Sequence, residues 1–293
     1  MNKVETLKLG IPKGSLQDST VKMFAKAGYK INISSRSYYP TIDDPTISLI
    51  LIRAQDMSRY VEKGIIDAGL TGKDWVVEND SKVEVITDLV YAKTSTKPVR
   101  WVLAVPEDSP ITNVKELNGK KIATEVMNIT KKYLDRNNVK ASVEFSWGAT
   151  EIKCPTLVDA IVEITETGSS LKANNLKIID DVLESTTQLI MNYDSYKNPN
   201  KRDRVENIGM LLKGVIEAES NVGIQLNVEK KNLNSVLRIL PSLQQPTISE
   251  LTDPDWVALN AIVEEITVRD IIPQLKRAGA SGIVEYPLNK IIR

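Results

Sequence analysis

A short run of hydroxyl residues around a glycine, Thr167-Gly168-Ser169-Ser170-Leu171, is the strongest chemical signal in this 293-residue sequence. Glycine lets the backbone approach an anion closely, and three hydroxyls with successive amides can surround the oxygens of a phosphate. The same segment could also be a solvated turn that ends one helix and caps the next. It therefore predicts a phosphate-binding loop, provided that its neighbours also suit a phosphorylated ligand.

Three acidic residues precede this loop at a spacing that favours a helix. Apolar residues recur at helical intervals over Thr156–Thr165. Asp159, Glu163 and Glu166 stand at i, i+4 and i+7 on another face, where like charges repel. A bound vicinal diol or a hydrated Mg²⁺ would turn that repulsion into binding. We therefore expect a ribose phosphate site beside the loop, and the alternative is a solvated acidic helix face.

Further candidates stand directly after predicted strands. Lys13 and Gly14 follow the first of these, Leu7–Ile11, and open the first helix. Because ligands of open α/β sheets bind beyond the carboxyl ends of the strands, these positions suit the charged end of a ligand. A P-loop is excluded, since its glycine spacing is missing. The same reasoning adds Ser15 and the residues after two later strands: Arg53, Asp56, Gly72 and Asp74.

The sequence contains no histidine and a single cysteine, Cys154. The absence of histidine excludes Ser-His and Cys-His nucleophile pairs and every histidine-ligated zinc or iron site. Without a histidine base, Cys154 is expected to be inert. The remaining chemistry must use carboxylates, lysines, hydroxyls, backbone amides and oxygen-ligated ions.

Charge and hydropathy argue against two classes of partner. The 38 basic and 38 acidic residues give a net charge of zero, so no global field attracts nucleic acid or an anionic membrane. No apolar run approaches the roughly 18 residues of a membrane span. One cysteine agrees with a reducing compartment. We expect a cytoplasmic protein with neither nucleic acid nor membrane as a partner.

Short β-rich runs alternate with helical stretches through most of the chain, which predicts an α/β protein with parallel sheets covered by helices. A second lobe begins near Arg100, and the run Gln188–Asn192 returns to complete the first. We therefore place lobe I at residues 1–100 with 187–218 and lobe II at 101–186, with a cleft between them. Residues 219–293 follow the order β-α-β-β-α-β, which predicts a ferredoxin-like domain.

Together these segments resemble the long form of ATP phosphoribosyltransferase, the first enzyme of histidine biosynthesis. The resemblance covers nearly the whole chain and rests on Pro12–Leu16, Gly69–Asp74, Leu117–Thr124, Glu151–Glu163 and Thr167–Leu171. It implies a catalytic part similar to the two-lobed periplasmic binding proteins and a C-terminal regulatory domain. Ser170 replaces the usual threonine and Thr156 a usual glycine, and neither departure removes a functional group.

The resemblance also implies a reaction, the transfer of phosphoribose from phosphoribosyl pyrophosphate (PRPP) to N1 of ATP, with Mg²⁺ as cofactor and release of pyrophosphate. Histidine would inhibit at the C-terminal domain, and the subunits would form dimers that associate into hexamers. Lys13, Asp159 and Glu163 are then expected to be catalytic, with the two acids also facing the metal. The expected PRPP site comprises Glu151, Asp159, Glu163, Thr167, Gly168, Ser169, Ser170 and Leu171. The expected ATP site comprises Lys13, Gly14, Ser15, Arg53, Asp56, Gly72 and Asp74, and histidine would meet Asn227, Thr247, Ser249, Ala280 and Ser281.

Two other functions stay open on the sequence alone. A two-lobed binding fold joined to a ferredoxin-like domain could be a non-catalytic amino-acid sensor, which would not need acids beside a phosphate loop. Prephenate dehydratase also pairs a lobed domain with a regulatory one, but its Thr-Arg-Phe signature is missing here. Binding of PRPP would separate the transferase from the sensor.

Overall fold

The computed structural model describes residues 5–34, 36–92, 97–241, 243 and 245–293. The chain divides into two compact units, Met1–Gly209 and Met210–Arg293, and each is described by itself. The division falls inside one helix, Pro199–Ala218. The domain limits expected from the sequence stay predictions.

The first unit contains two α/β lobes, each built on a five-stranded sheet. The first lobe begins with β1 (Leu7–Lys13), α1 (Gln17–Ala27), β2 (Ile31–Asn32), β3 (Thr41–Ile42), β4 (Ile47–Arg53), α2 (Ala54–Glu62), β5 (Ala68–Gly72), α3 (Lys73–Glu78) and β6 (Glu84–Leu89). The second lobe follows with β7 (Val99–Pro106), β8 (Lys121–Thr124), α4 (Met127–Arg136), β9 (Ser142–Phe145), β10 (Ala160–Thr165), α5 (Ser169–Ala173) and β11 (Leu176–Ser185). The chain continues with β12 (Thr187–Met191), α6 (Tyr193–Lys197) and α7 (Pro199–Ala218).

The sheet of the first lobe has the strand order β4-β1-β5-β12-β6. Strand β1, the second in this order, lies parallel to its neighbours β4 and β5, and its apolar residues Leu7, Leu9 and Ile11 are fully buried. Strand β12 comes from beyond the second lobe and pairs antiparallel with β5 and β6. The predicted return of the chain to the first lobe is therefore confirmed, and with it the expected two-lobed architecture of this unit.

The sheet of the second lobe has the order β11-β7-β10-β8-β9. Strands β8, β9 and β10 are parallel, whereas β7 runs antiparallel to β10 and β11. In the register of the two inner parallel strands, Val162 of β10 lies opposite Thr124 of β8. Both strands therefore end at the same edge of the sheet, which is the edge where parallel strands present ligand-binding residues.

The helix expected over Thr156–Thr165 is wrong, because Ala160–Thr165 forms strand β10. The short run of β-branched residues is buried between β7 and β8, and a run of this length does not distinguish a buried strand from a helix. The consequence concerns Asp159 and Glu163. A strand rises about 3.3 Å per residue, so roughly 13 Å of backbone separates these two residues instead of one helical turn. They do not form one acidic face, and the predicted metal-facing pair is wrong as a pair.

The second unit has the ferredoxin-like order expected from the sequence. It comprises β13 (Asn221–Glu229), α8 (Leu233–Ile239), β14 (Thr247–Glu250), β15 (Trp256–Glu264), α9 (Glu265–Arg277) and β16 (Ala280–Pro287). The four strands form an antiparallel sheet in the order β14-β15-β13-β16. Alternate residues of β13, from Val222 to Val228, are buried in one core with Val236 of α8 and Leu275 of α9. The predicted fold class is thus confirmed for both units.

Candidate active site

A cavity of about 1150 Å³ opens between the two lobes of the first unit. Its walls include the residues at the carboxyl ends of β1, β4, β5 and β10, which is where open α/β sheets bind ligands. The cavity walls include six of the seven residues expected for ATP and three of the eight expected for PRPP: Lys13, Gly14, Ser15, Arg53, Gly72 and Asp74 for ATP, and Thr167, Ser169 and Ser170 for PRPP.

The hydroxyl loop forms the turn from β10 into the short helix α5. Gly168 has a φ of 80°, a left-handed conformation that favours glycine, and its N–H donates to Thr165 Oγ1 at 2.7 Å. Ser169 and Ser170 are exposed to the cavity. Leu171 is 1% exposed and packs in the core of the second lobe, so its side chain anchors the loop. The loop therefore presents hydroxyls to the cavity from a fixed base.

Glu163 lies on β10, four residues before Thr167; it is partly buried and does not itself line the cavity, whereas the next residues, Ile164 and Thr165, do. Burial raises the pKa of its carboxyl above the ordinary glutamate value, and the negative charges of Glu151 and Glu125 act in the same direction. Hydrogen bonds from the Thr150 side chain and from the Ile164 N–H oppose this shift. Because burial and the neighbouring carboxylates disfavour the ionised form of Glu163, additional hydrogen-bond donors would stabilise its carboxylate.

A chain of hydrogen-bonded side chains ends at Glu163 and orients it. Lys153 Nζ donates to Ser146 Oγ at 2.6 Å, and Ser146 Oγ lies 2.9 Å from Thr150 Oγ1. Ser146 and Thr150 are both fully buried. Because their hydroxyls are shielded from water and have partners, Thr150 holds the Glu163 side chain in a defined orientation.

Asp159 lies at the opposite end of β10 and does not line the cavity. Its Oδ2 accepts the Lys121 N–H at 2.9 Å, and its Oδ1 lies 3.3 Å from Lys120 Nζ. The backbone hydrogen bond from Lys121, followed by the side chain of Lys120, lowers the pKa of Asp159. These contacts tie the start of β10 to β8, so Asp159 is engaged within the sheet. Glu151 also lies outside the cavity walls and acts on the site through its charge on Glu163.

The first lobe contributes the cationic side of the cavity. Lys13, at the end of β1, places its ammonium 3.8 Å from the centre of the Tyr38 ring. Arg53 is exposed at the end of β4. Ser15 is not a helix cap, since α1 begins at Gln17 without a side-chain cap, and it lines the cavity instead. Asp56 lies in the first turn of α2 and does not line the cavity.

Asp74 contributes to the wall of the cavity from a buried position, with 2% of its surface exposed. Its Oδ2 accepts a 2.7 Å hydrogen bond from Trp101 Nε1, and its Oδ1 accepts the Trp75 N–H. A Cβ at position 72 would clash with Asp74 Oδ1, so Gly72 is required for this arrangement. Burial raises the pKa of Asp74. The carboxyl is engaged within the protein, and its predicted contact with ATP stays a prediction.

Several cavity residues were missed by sequence reasoning. Glu125 follows β8, and Ser185, Thr186 and Thr187 join β11 to β12. Glu125 could have been found, since it follows a predicted strand in the same way as Lys13 and Arg53 do. The hydroxyl residues could not, because β11 was not recognised as a strand and its end was therefore unknown.

Cys154 is buried, and burial together with the nearby charge of Asp159 raises the pKa of its thiol to about 11. A thiol with this pKa is protonated at neutral pH, which agrees with the expectation that Cys154 is inert. Within the described part of the chain, no three or more acidic or cysteine side chains converge in a way that could hold a metal ion. In the same residues, no helix combines the length and apolarity needed to cross a bilayer.

The residues expected to meet histidine lie on the sheet of the second unit. Ser249, Asn227 and Ser281 belong to one row of paired residues that crosses the sheet from β14 to β16. Asn227 lies opposite Ser281, whereas Ser249 and Thr247 are on the far edge strand. With strands about 4.8 Å apart, the two edges are separated by roughly 14 Å. Ala280 is buried, so its side chain faces the core.

Comparison with known proteins agrees with the geometry of the cavity. The family model described as ATP phosphoribosyltransferase matches residues 53–214, and the model of the C-terminal domain of the same family matches residues 218–290. The chain belongs to the ATP phosphoribosyltransferase family. Relatives of that name from Chlorobaculum parvum and Solibacter usitatus are 60% and 61% identical over 291 and 286 residues, covering 99% and 98% of this chain and 99% of each relative.

A solved structure of the ATP phosphoribosyltransferase (HisG:HisZ) complex from Thermotoga maritima is also similar. It has a TM-score of 0.62 and 30% identity, and the match covers 73% of this chain and 100% of that one. The match to the C-terminal family domain identifies this chain as a long-form ATP phosphoribosyltransferase. The chain is therefore an enzyme of histidine biosynthesis, and a non-catalytic sensor is not favoured.

Proposed function

We propose that this ATP phosphoribosyltransferase binds PRPP on the second-lobe side of its cavity and ATP on the first-lobe side. One observation carries the proposal. A single cavity joins the hydroxyl loop at the end of β10 to Lys13 and Arg53 at the ends of β1 and β4. Both substrates carry phosphates, and hydroxyls, amides and cations are the groups that proteins use to bind them.

The hydroxyl loop receives the 5′-phosphate of PRPP. Thr167, Ser169 and Ser170 line the cavity and offer three hydroxyl donors. The ribose then lies toward Glu163, whose carboxylate accepts hydrogen bonds from the sugar hydroxyls. Support for this placement comes from the short distance along the chain, since Glu163 is only four residues before Thr167.

The first lobe receives ATP. Lys13 and Arg53 offset the negative charge of the triphosphate, and the backbone of Gly14 and Ser15 approaches it at the start of α1. Gly14 has a φ of 111° and nothing lies within 4 Å of the position of a Cβ there. The open space beside Gly14 supports the close approach of a ligand.

The reaction requires no covalent nucleophile. The lone pair of N1 of adenine forms a bond to C1 of the ribose, while the bond from C1 to the pyrophosphate oxygen breaks and its electron pair leaves with pyrophosphate. Positive charge develops on the ribose between these events, and the carboxylate of Glu163 stabilises it. The two lobes supply the remaining acceleration by holding the reacting atoms in line.

We propose that Mg²⁺ enters with the substrate. Asp159 is engaged with Lys120 and Lys121 at the far end of β10, so it does not help Glu163 to hold a metal. The residues therefore do not fit a resident ion between these two acids. A magnesium ion carried on the pyrophosphate of PRPP would neutralise the leaving group without such a site.

We propose that histidine inhibits the enzyme at the C-terminal domain. Asn227 and Ser281 are paired neighbours that offer an amide and a hydroxyl to the charged ends of an amino acid. Thr247 and Ser249 lie on the other edge of the sheet, too far away to meet the same molecule within one chain. Contact of one histidine with all four residues needs a second copy, which supports a homo-oligomer; dimers that associate into a hexamer stay a proposal. As an enzyme that consumes ATP and PRPP, it is proposed to act in the cytoplasm.

The central test is binding of PRPP by calorimetry, with and without Mg²⁺, to the wild type and to Glu163→Ala and Ser170→Ala. We expect binding to the wild type, strengthened by Mg²⁺, and weaker binding to each variant. Pyrophosphate release with ATP measures turnover in the same samples. Unchanged PRPP binding in both variants would place the donor elsewhere.

A further inference from the structure

Glu125 is an acidic residue of the cavity to which sequence reasoning assigned no role. It stands immediately after β8 and lines the cavity. Its carboxylate is partly buried, and in the part of the chain that the structure describes it has no hydrogen-bond donor within the protein. An acceptor-only group in such a position is available to a ligand that donates hydrogen bonds.

The register of the sheet places Glu125 beside Glu163. Thr124 of β8 lies opposite Val162 of β10, and the two glutamates are the next residues of their chains. Neighbouring strands lie about 4.8 Å apart, so the two carboxylates leave the sheet as neighbours at its ligand-binding edge. The partner expected for Glu163 was Asp159, which the strand carries to the other end of the sheet. The structure supplies Glu125 instead.

Two electrostatic features agree with a shared ligand. Burial raises the pKa of Glu125, and the nearby charge of Lys153 only partly opposes this. Lys153 donates to the buried Ser146 hydroxyl at 2.6 Å, and its charge acts on Glu125 without a hydrogen bond between the two side chains. The charge of Glu125 in turn raises the pKa of Glu163. Two adjacent carboxylates without a cation between them are stabilised by hydroxyl donors placed across both.

We propose that Glu125 is the second carboxylate at the donor ribose, where it accepts a hydrogen bond from one of the two adjacent ring hydroxyls while Glu163 accepts the other. This inference rests on the proposed placement of PRPP. With both acids beside the sugar, the positive charge that develops on the ribose during transfer is stabilised by two negative groups instead of one.

The side chain of Glu125 can be replaced without loss of the local fold. The turn after β8 is closed by the Val126 N–H, which donates to Thr124 Oγ1 at 3.0 Å and does not involve the Glu125 side chain. Glu125→Met keeps the length of the side chain and removes both acceptors. Glu144→Met is the matched control, because Glu144 lies on the neighbouring parallel strand β9 and pairs with Lys121 outside the cavity.

The experiment measures binding of two sugar phosphates by calorimetry. Ribose 5-phosphate carries both hydroxyls, and 2,3-dideoxyribose 5-phosphate carries neither. A hydrogen bond to a charged group is worth about ten- to a hundredfold in affinity. We expect Glu125→Met to lower the affinity for ribose 5-phosphate by about tenfold and to leave the affinity for the dideoxy sugar unchanged. Glu125→Gln is expected to be intermediate, since the amide keeps one acceptor. Glu144→Met is expected to match the wild type.

Three results would overturn the proposal, and each has a different consequence for the other site assignments. Equal weakening of both sugars by Glu125→Met would assign the residue a structural role only. If Glu125→Met still preferred ribose 5-phosphate over the dideoxy sugar while Glu163→Met did not, the donor site would stand without Glu125. A raised KM for ATP in Glu125→Met would then assign Glu125 to the ATP site. Equal affinity of the wild type for the two sugars would contradict the placement of the ribose at this edge of the sheet. The assignments of Glu125 and Glu163 would then both be wrong.

Discussion

The Asp74 carboxylate of the first lobe accepts a 2.7 Å hydrogen bond from the Trp101 indole of the second lobe. Both side chains are nearly inaccessible to water, at 2% and 1% exposure. Trp101 also meets Trp75 edge to face, with ring centres 6.1 Å apart. A second carboxylate of the same helix, Glu78, accepts the N–H groups of residues 128 and 129 at the start of α4. Helix α3 thus fastens the two lobes together beside the cavity.

Trp101→Phe is expected to destabilise the protein by about 1–3 kcal/mol, because it removes a donor and leaves a buried carboxylate short of a hydrogen bond. Urea unfolding followed by circular dichroism at neutral pH measures the loss. Trp147→Phe is the control, since Trp147 is 92% exposed. Equal unfolding midpoints for Trp101→Phe and the wild type would show that the bond contributes nothing to stability.

Ser170→Ala is expected to raise the KM for PRPP by about tenfold and to leave the KM for ATP within about twofold of wild type, since it removes a single donor to a charged phosphate. The exposed position of Ser170 means that folding should not change. Steady-state kinetics of pyrophosphate release separates the two constants. Ser142→Ala, on an exposed position of β9, controls for the loss of a surface hydroxyl. A rise in the KM for ATP alone would contradict the loop assignment.

Lys13→Gln is expected to raise the KM for ATP by about tenfold, because a cation facing the triphosphate is lost. The same change has a spectroscopic signature. A hydrogen bond from Lys13 and its charge lower the pKa of Tyr38, so removal of the ammonium should raise it toward 10.0. Ultraviolet titration of tyrosinate measures that shift. Lys30→Gln, an exposed lysine of the same lobe, should alter neither quantity.

The pH dependence of donor use should follow Glu163. Its pKa is raised above 4.5 by burial and by nearby carboxylates, and an ionised carboxylate is needed to accept sugar hydroxyls. The value of kcat/KM for PRPP is therefore expected to fall as the pH falls through this raised pKa, above the ordinary glutamate range. Glu163→Gln should lower the plateau and remove this acidic limb. An acidic limb that is identical in the variant and the wild type would assign the titration to another group.

Stability should respond to the same group in the opposite direction. Because the pKa of Glu163 is higher in the folded state than in the unfolded chain, its contribution to stability is fully present below the unfolded pKa. That contribution is lost as the pH rises through the folded pKa. The difference in urea midpoint between Glu163→Gln and the wild type should therefore grow with pH across this window in favour of the variant.

Inhibition by histidine should be separable from turnover. Thr247→Ala combined with Ser281→Ala is expected to raise the inhibitory histidine concentration while leaving uninhibited activity close to wild type, since coupling between distinct sites is typically about 1–3 kcal/mol. Histidine is titrated against activity at two ATP concentrations. Equal inhibition of the double variant and the wild type would contradict the assignment of both hydroxyls.

Local features were predicted well where the signal itself is local. The strand ends marked by Lys13 and Arg53 lie at the cavity as expected. The hydroxyl loop was found for the same reason, because glycine and hydroxyl residues define a phosphate-binding turn over a few consecutive positions. The β-α-β-β-α-β order of the C-terminal unit was equally visible, since stop signals separate its elements.

The sequence by itself determined the alternation of strands and helices, the chemistry of the loop and the supply of cations at strand ends. Only the tertiary structure decided which acids stand together. Whether Ala160–Thr165 is a helix or a strand depends on its burial between β7 and β8, which involve residues far away in the chain. As a strand, it separates Asp159 from Glu163, and the register with β8 brings Glu125 beside Glu163 instead. Pairing between distant strands is set by the packing of the whole sheet, so spacing along the chain could not disclose it.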